Sequence, residues 1–108
     1  SMHGLAVPRL PNYSYSAAKA AVHHITRVLA VELGPRGIAV NAIALGPVAT
    51  RMTRQLLEEH GREIERACPL GRIGAPADVA GAAVFLASRA AAWINGVVLP
   101  VDGGLSLV

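Results

Sequence analysis

The amino-acid sequence predicts an α/β fold in which parallel strands are covered on both faces. Two near-continuous apolar runs, 37–45 and 96–102, have the composition of buried parallel strands. Helical segments precede both runs, and the order helix, strand, helical excursion, helix, strand is typical of this class. Two parallel strands cannot bury the faces of two long helices. The 108-residue chain is therefore expected to be the C-terminal part of something larger, or to borrow a sheet from a partner.

The first helix is expected from about Tyr13 to Leu33, after a loop that spans residues 1–12. Gly34 and Pro35 end it, because neither residue supports a further helical turn. Apolar and small residues cover most of the circumference of this helix, which predicts burial on two sides. We expect one side to cover the sheet and the other to meet another subunit.

The later elements are bounded by glycine and proline. They are a strand at 37–45, helical segments at 50–59 and 62–66, a helix at 76–88 and a strand at 96–102. Pro76 near the first turn and the early acid Asp78 fit the start of a helix. Pro100 lacks the backbone donor that a central strand needs, which predicts an edge position for the second strand.

The composition indicates an ordered protein with a substantial core, since 53% of residues are hydrophobic and 16% are charged. Charges break the apolar runs well short of the roughly 18 residues that a transmembrane helix needs, so no membrane span or membrane partner is expected. No signal peptide is visible. The single cysteine, Cys68, excludes an internal disulfide and suits a reducing compartment, so we expect a cytoplasmic location.

The charged residues do not indicate nucleic-acid binding. The net charge is +3, but the arginines are scattered, form no stripe and have few aromatic residues among them. The four histidines do not have zinc-ligand spacing, and the adjacent His23 and His24 would point about 100° apart on a helix. We therefore expect no metal site.

The segment with the clearest chemical meaning contains Tyr15 and Lys19, whose spacing places both side chains on one helical face. A free tyrosine has a pKa of about 10. A shift of about 3 units needs about 4 kcal/mol, which one positive charge at about 4 Å supplies at an effective dielectric of about 20. The spacing alone is weak, because a surface lysine beside a packed tyrosine gives the same pattern. Tyr13 lies about 200° from Tyr15 around the helix, and we expect it to pack.

Four segments in order resemble the short-chain dehydrogenase/reductase family over essentially all 108 residues. Residues 15–22 resemble its Tyr-x-x-x-Lys helix, and residues 40–52 resemble the strand and turn that meet the nicotinamide. Residues 69–80 resemble the start of the following helix, and residues 95–104 the last strand. The resemblance implies that residues 1–108 are the C-terminal portion of a Rossmann-like, doubly wound parallel sheet, its last two strands and flanking helices. The N-terminal dinucleotide-binding half of that single oxidoreductase domain is absent from this sequence.

The resemblance implies an NAD(P)-dependent oxidoreductase that interconverts a carbonyl and an alcohol by hydride transfer. Tyr15 would be the acid in reduction and the base in oxidation. Lys19 would favour the phenolate and hydrogen-bond the nicotinamide ribose, so both residues would also border the cofactor. Ser1 lies fourteen residues before Tyr15 and begins a Ser-x-x-Gly stretch that ends at Gly4. It would bind the reacting oxygen of the substrate. Ser-Met is also a common cloning remnant, so that origin of Ser1 stays open.

The resemblance also assigns a cofactor-binding turn for NAD or NADP. Val48 would contact the nicotinamide carboxamide through its backbone and Thr50 through its hydroxyl, while Gly46 and Pro47 would shape the turn. An alternative for Thr50 is a helix N-cap, and both roles are compatible. Leu45 stands where the family usually has proline, and we expect the turn to survive that difference. The acid or base that separates NAD from NADP lies outside this sequence.

The implied partners are a small-molecule carbonyl or alcohol substrate and further copies of the chain, in a homodimer or homotetramer. Residues 51–70 match the variable substrate lid of the family, and their apolar side chains slightly favour a lipophilic or medium-sized carbonyl. The chain alone is expected to be inactive, because the dinucleotide loop is missing. The alternative is a non-catalytic oligomerisation or scaffold module of the same fold, which would bind no nucleotide.

Overall fold

The computed structural model of the protein describes residues 1–8 and 12–108. Its regular elements are α1 (Tyr13–Leu33), β1 (Ala42–Leu45), α2 (Arg54–Ala67), α3 (Pro76–Ala87) and β2 (Val98–Val101). The strands pair in parallel, with Ala42 opposite Val98 and Leu45 opposite Val101. This arrangement confirms the predicted α/β class and the two parallel strands.

Three local expectations need correction. The strands are only four residues each, and α2 is one continuous helix where two helical segments were expected. Thr53, rather than Thr50, stands at the N-cap of α2. Within the predicted loop at 1–12, Met2–Gly4 forms a 3-10 turn, while residues 9–11 lie outside the described part of the chain.

Helix α1 is buried along one narrow stripe formed by His23, Thr26 and Ala30. These positions are spaced by three and four residues, as one helical face requires. The opposite face is open to solvent, and Val31 keeps 79% of its surface exposed. The predicted burial on two sides is thus not found within the described residues, because this chain supplies only one covering layer. No helix among residues 1–8 and 12–108 has the length and hydropathy to cross a bilayer.

Asn41 joins the segment before β1 to the segment before β2. Its side-chain amide donates to the Ile94 carbonyl at 3.0 Å, and its carbonyl oxygen accepts from the Val97 backbone N–H at 3.0 Å. Backbone groups at the ends of short strands need such partners, because the strand ladder does not reach them. Asn41 therefore has a structural role.

Asn95, which precedes β2, makes a corresponding connection back to the segment before β1. Its oxygen accepts from the Val40 backbone N–H at 2.9 Å, and its amide donates to the Ala30 carbonyl of α1 at 2.9 Å. Since Val40 no longer offers its N–H to a neighbouring strand, β1 begins only at Ala42. Asn95 thus connects α1 to the start of the strand pair, a role that the sequence analysis missed.

At their C-terminal ends, the two strands are joined through Gly46. Its N–H donates to the Val101 carbonyl at 3.0 Å, which extends the parallel ladder by one residue. A Cβ atom at this position would lie 2.7 Å from both Cα and Cβ of Asp102, closer than real Cβ contacts allow. Only glycine therefore lets the chain after β1 pass this close to the chain after β2.

We predict that Asn95→Ala lowers the free energy of unfolding by about 2 kcal/mol, because the Ala30 carbonyl and the Val40 N–H lose their partner. Gln55→Ala is the control, since Gln55 bonds only the exposed side chain of Glu59 in the described structure. Urea denaturation measures both variants. Equal losses for the two would contradict the role assigned to Asn95.

We predict that Gly46→Ala destabilises the protein by about 1–3 kcal/mol, because the added methyl group overlaps backbone that cannot move independently. Gly81→Ala is the matched control on α3, where an added Cβ meets no described atom within 4 Å. That change should stabilise the helix by about 0.5–1 kcal/mol. Thermal unfolding of the two variants should move in opposite directions, and a shared direction would refute this account.

Candidate active site

Tyr15 and Lys19 lie at the N-terminal end of the buried stripe of α1. The positions 15, 19, 23, 26 and 30 follow one another by four, four, three and four residues, so all five share one helical face. The Lys19 Nζ atom is 5.2 Å from the centroid of the Tyr15 ring, and 46% of Tyr15 is exposed. The Lys19 ammonium therefore lies near the Tyr15 ring, and Tyr15 is partly exposed.

The Ser1 segment packs against the same end of α1. Ser1 Oγ accepts from the His3 backbone N–H at 3.3 Å and so begins the turn Met2–Gly4. The His3 ring meets the Tyr15 ring edge-on, with centroids 5.8 Å apart and an interplanar angle of 82°. A hydrogen bond of 3.1 Å between His3 Nδ1 and Asn12 Nδ2 holds that ring in place.

His3 was not predicted as a site residue, and the available signal was its place inside the Ser-x-x-Gly stretch. Burial lowers the pKa of His3 below its usual value. His3 and Lys19 both lie beside the Tyr15 ring. Tyr13 is 85% exposed, so its predicted packing is wrong.

The second group of predicted site residues forms a turn at the C-terminal end of β1. Gly74 N–H donates to the Pro47 carbonyl at 3.1 Å, and Ala49 N–H donates to the Gly74 carbonyl at 2.9 Å. These two bonds place Val48, which is 7% exposed, opposite Gly74 in a parallel bridge. The turn is thus fully formed although Leu45 replaces the usual proline.

Thr50 lies at the exposed end of this turn, where Thr53 fixes its orientation. The Thr53 hydroxyl donates to the Val48 carbonyl at 2.5 Å and lies 3.0 Å from Thr50 Oγ1. Thr50 N–H donates to the same Thr53 oxygen at 3.0 Å. Thr53 thus positions the hydroxyl that was predicted to bind cofactor. The sequence analysis did not predict this role, because it depends on the turn geometry.

A cleft opens beside this turn, at the C-terminal ends of both strands. It is lined by Pro47, Val48, Pro69, Leu70, Arg72, Gly74, Asp78, Pro100, Val101, Asp102, Gly103 and Gly104. In open parallel sheets, ligands bind outside the carboxyl ends of the strands, so this is the expected side for a cofactor. Among the described residues, no group of three potential ligands could hold a metal ion.

Two carboxylates hold the walls of the cleft. Burial tends to raise the pKa of Asp102, but hydrogen bonds from Ser106 and Gly104 outweigh it, and the pKa lies below its usual value. The Arg72 guanidinium forms two bonds to Asp78, of 2.7 and 2.8 Å, and lowers the pKa of that carboxyl well below its usual range. Asp78 also accepts from the Ala75 N–H at 2.7 Å. Both carboxylates therefore act as loop supports.

The Ser1–Gly4 segment contacts both α1 and β1, so it lies between the two predicted groups of site residues. No hydrogen bond among the described residues links Tyr15 or Lys19 directly to the turn at 46–50. The two groups are therefore separate within the described structure. Their joint use needs a ligand that spans them.

The chain is similar to known proteins over nearly its whole length. The family model described as enoyl-(acyl carrier protein) reductase matches residues 1–106. The galactitol 2-dehydrogenase (L-tagatose-forming) of Cereibacter sphaeroides is 47% identical over 99% of this chain and 43% of the relative. The 3-oxoacyl-[acyl-carrier-protein] reductase of Pseudomonas aeruginosa is 45% identical over 85% of this chain and 37% of the relative.

A solved structure, the RhlG/NADP active-site complex of Pseudomonas aeruginosa, superimposes with a TM-score of 0.89. It is 37% identical over 98% of this chain and 44% of that chain. The chain thus spans about two fifths of the length of these relatives and matches their C-terminal part. The match over nearly all of its residues, with the fold to support it, shows that the chain belongs to the short-chain dehydrogenase/reductase family.

Proposed function

We propose that this chain is the C-terminal portion of a single NAD(P)-dependent oxidoreductase domain, and that it supplies the acid–base residues of carbonyl–alcohol interconversion. The observation that carries the proposal is the exposed Tyr15 phenol with the Lys19 ammonium 5.2 Å from its ring centroid. Family membership supports the oxidoreductase class. The N-terminal dinucleotide-binding half of the domain lies outside residues 1–108.

Tyr15 is the proton donor and acceptor in this proposal. In reduction its hydroxyl gives a proton to the substrate carbonyl oxygen, and in oxidation its phenolate takes the proton from the substrate hydroxyl. The Lys19 charge is proposed to attract the negative charge that develops on the reacting oxygens. Because both side chains project from consecutive turns of one rigid helix, their separation is set by helix geometry.

Ser1 binds the reacting oxygen of the substrate in this proposal. Its Oγ accepts one hydrogen bond from His3 N–H, which leaves the hydroxyl proton available to a substrate oxygen. A donor placed there stabilises the negative charge that develops on that oxygen during the reaction. His3 and Asn12 hold the turn that carries Ser1 against the Tyr15 ring.

The nicotinamide cofactor, when bound, supplies or accepts the hydride. The exposed Thr50 hydroxyl, oriented by Thr53, and the backbone of Val48 are the groups proposed to hold its carboxamide. Lys19 is proposed to bind the adjoining ribose. Polar donors beside an open cleft at the strand ends fit such a cofactor, and the NADP complex named among the solved neighbours supports the choice of NAD or NADP.

The printed names of the relatives set the proposed substrate class. One is a galactitol dehydrogenase that forms L-tagatose, and another is a 3-oxoacyl reductase. We infer a small-molecule carbonyl or alcohol substrate, processed in the cytoplasm by a homodimer or homotetramer. The cytoplasmic assignment rests on Cys68, which is a free thiol. The oligomer rests on the uncovered apolar face of α1, which includes Ile25 and Val31.

Tyr15→Phe in the full-length protein should lower kcat by about 10²–10⁴-fold, because the variant has no proton to transfer. Binding of NADP, measured by calorimetry, should change by less than about twofold, since the ring is kept. Tyr13→Phe is the matched control, because Tyr13 is a neighbouring tyrosine that is 85% exposed. Unchanged turnover in Tyr15→Phe would refute the assignment of the acid–base residue.

The apolar face of α1 also favours a second candidate, a non-catalytic oligomerisation or scaffold module. We predict that residues 1–108 alone turn over no carbonyl substrate and bind NADP at least about 100-fold more weakly than the full-length protein, because most cofactor contacts are missing. Calorimetric titration and sedimentation test this. If the full-length protein also self-associates without binding NAD or NADP, the scaffold function replaces the enzymatic one.

A further inference from the structure

His23 is a buried titratable residue that the proposed proton transfer does not use. It lies two helical turns beyond Tyr15 and one beyond Lys19, on the same face of α1, and is only 3% exposed. Its Nδ1 atom is buried and has no hydrogen-bond partner among the described residues. Such an atom needs an explanation, because buried polar atoms are normally paired.

The ring of His23 lies against Gly4, the last residue of the turn that begins at Ser1. A Cβ atom at Gly4 would be 2.6 Å from His23 Cε1 and 2.7 Å from its Nδ1. It would also be 2.8 Å from the carbonyl carbon of Lys19. The Gly4 backbone therefore fits between the imidazole and the helix, in a space that admits no side chain.

The position of Gly4 determines the position of Ser1. Gly4 N–H donates to the Ser1 carbonyl at 3.1 Å, and Ser1 Oγ accepts from His3 N–H in the same turn. A three-residue turn closed by two such bonds moves as a unit. A shift of Gly4 away from His23 would therefore carry Ser1 away from Tyr15.

We propose that His23 is a positioning residue, whose neutral ring docks Gly4 on α1 and thereby aligns Ser1 with Tyr15. This inference rests on the proposed function, since the alignment matters for turnover only if both residues act on the substrate. It also accounts for the unpaired Nδ1, because a close fit of the Gly4 backbone leaves no room for a partner beside that atom.

The electrostatic surroundings favour the neutral ring. Burial lowers the pKa of His23 below its usual 6.5, and the charges of Arg27 and Lys19 lower it further, while the Gly4 carbonyl acts in the opposite direction. That carbonyl is close enough to influence the ring, yet it forms no hydrogen bond of acceptable geometry to Nδ1. Gly4 of the turn Met2–Gly4 lies against this buried ring. The charges of Lys19 and Arg27 lower the pKa of His23 regardless of which residues precede Ser1.

The other elements that contact this turn do not alter the charge balance. His3 is the other titratable side chain on the turn itself, and its pKa is also lowered by burial. Strand β1 and the C-terminal 3-10 turn Leu105–Leu107 also contact the turn, and neither contains a titratable side chain. A proton on His23 would thus place a positive charge in a buried site beside Lys19 and Arg27, which disfavours the docked state.

The sign of the pH dependence follows from the lowered pKa of His23. Because the docked state binds the proton more weakly than a free imidazole, docking is fully favourable above about 6.5. It is lost as the pH falls through the lower pKa of the docked ring. Turnover should therefore fall at acid pH, because Ser1 is then less firmly placed.

We predict that kcat/KM of the full-length wild-type protein falls on the acid side and that His23→Gln removes this acid limb. At pH 7.5 the variant should have about 10-fold lower kcat/KM, because Ser1 is less firmly placed. His24→Gln is the matched control, since His24 is the next residue, is exposed and points away from Gly4. It should keep the wild-type profile. A His23→Gln profile that keeps the acid limb would overturn the inference.

Nuclear magnetic resonance of the wild-type full-length protein provides a second test that needs neither a variant nor turnover. The His23 ring and the Gly4 amide should shift with one common midpoint below pH 6.5. A Gly4 amide that does not respond when His23 titrates would overturn the inference even in an active enzyme. A common midpoint in a protein without NAD(P)-dependent turnover would instead refute the proposed function.

Discussion

The arrangement of this chain depends on hydrogen bonds that two asparagine side chains make to backbone. Asn95 joins the Ala30 carbonyl of α1 to the Val40 N–H before β1, and Asn41 joins the segments before both strands. Strands of four residues leave nearby backbone groups without a ladder partner, and the bonds that replace it are part-buried at three of the four contacts and exposed at Val40. The amides supply those partners and fix α1 relative to the sheet.

The two groups of site residues inherit their positions from that framework. Helix α1 carries Tyr15 and Lys19 on the N-terminal continuation of its buried stripe, so packing of the stripe also orients the phenol. At the other ends of the strands, the close approach of Gly46 to Asp102 places the turn that leads to Thr50. The site residues at the C-terminal ends of the strands thus depend on hydrogen bonds that side-chain amides make at the N-terminal ends.

Ser1–Gly4 is the segment in which local conformation and chemistry are most closely linked. It contacts α1 and β1. Within it, the His3 ring meets the Tyr15 ring, and Gly4 lies against the His23 ring. These contacts fix the place of Ser1 without any direct bond between Ser1 and Tyr15. A charge change on a neighbouring ring can therefore act on the site through position alone, because the turn moves as a unit.

The sequence by itself determined the features that depend on residues close together in the chain. The bounds of α1, the Tyr15–Lys19 pair, the parallel strands and the glycine at position 46 follow from periodicity, spacing and motif order. Only the tertiary structure decided contacts between distant residues, such as Asn95 with Ala30, His23 with Gly4 and Thr53 with the turn before it. It also showed that the strand ladder ends where side-chain amides, and not the other strand, form hydrogen bonds with the backbone. The reason is physical, since local patterns encode which face of an element is apolar but not which distant group will satisfy a given donor.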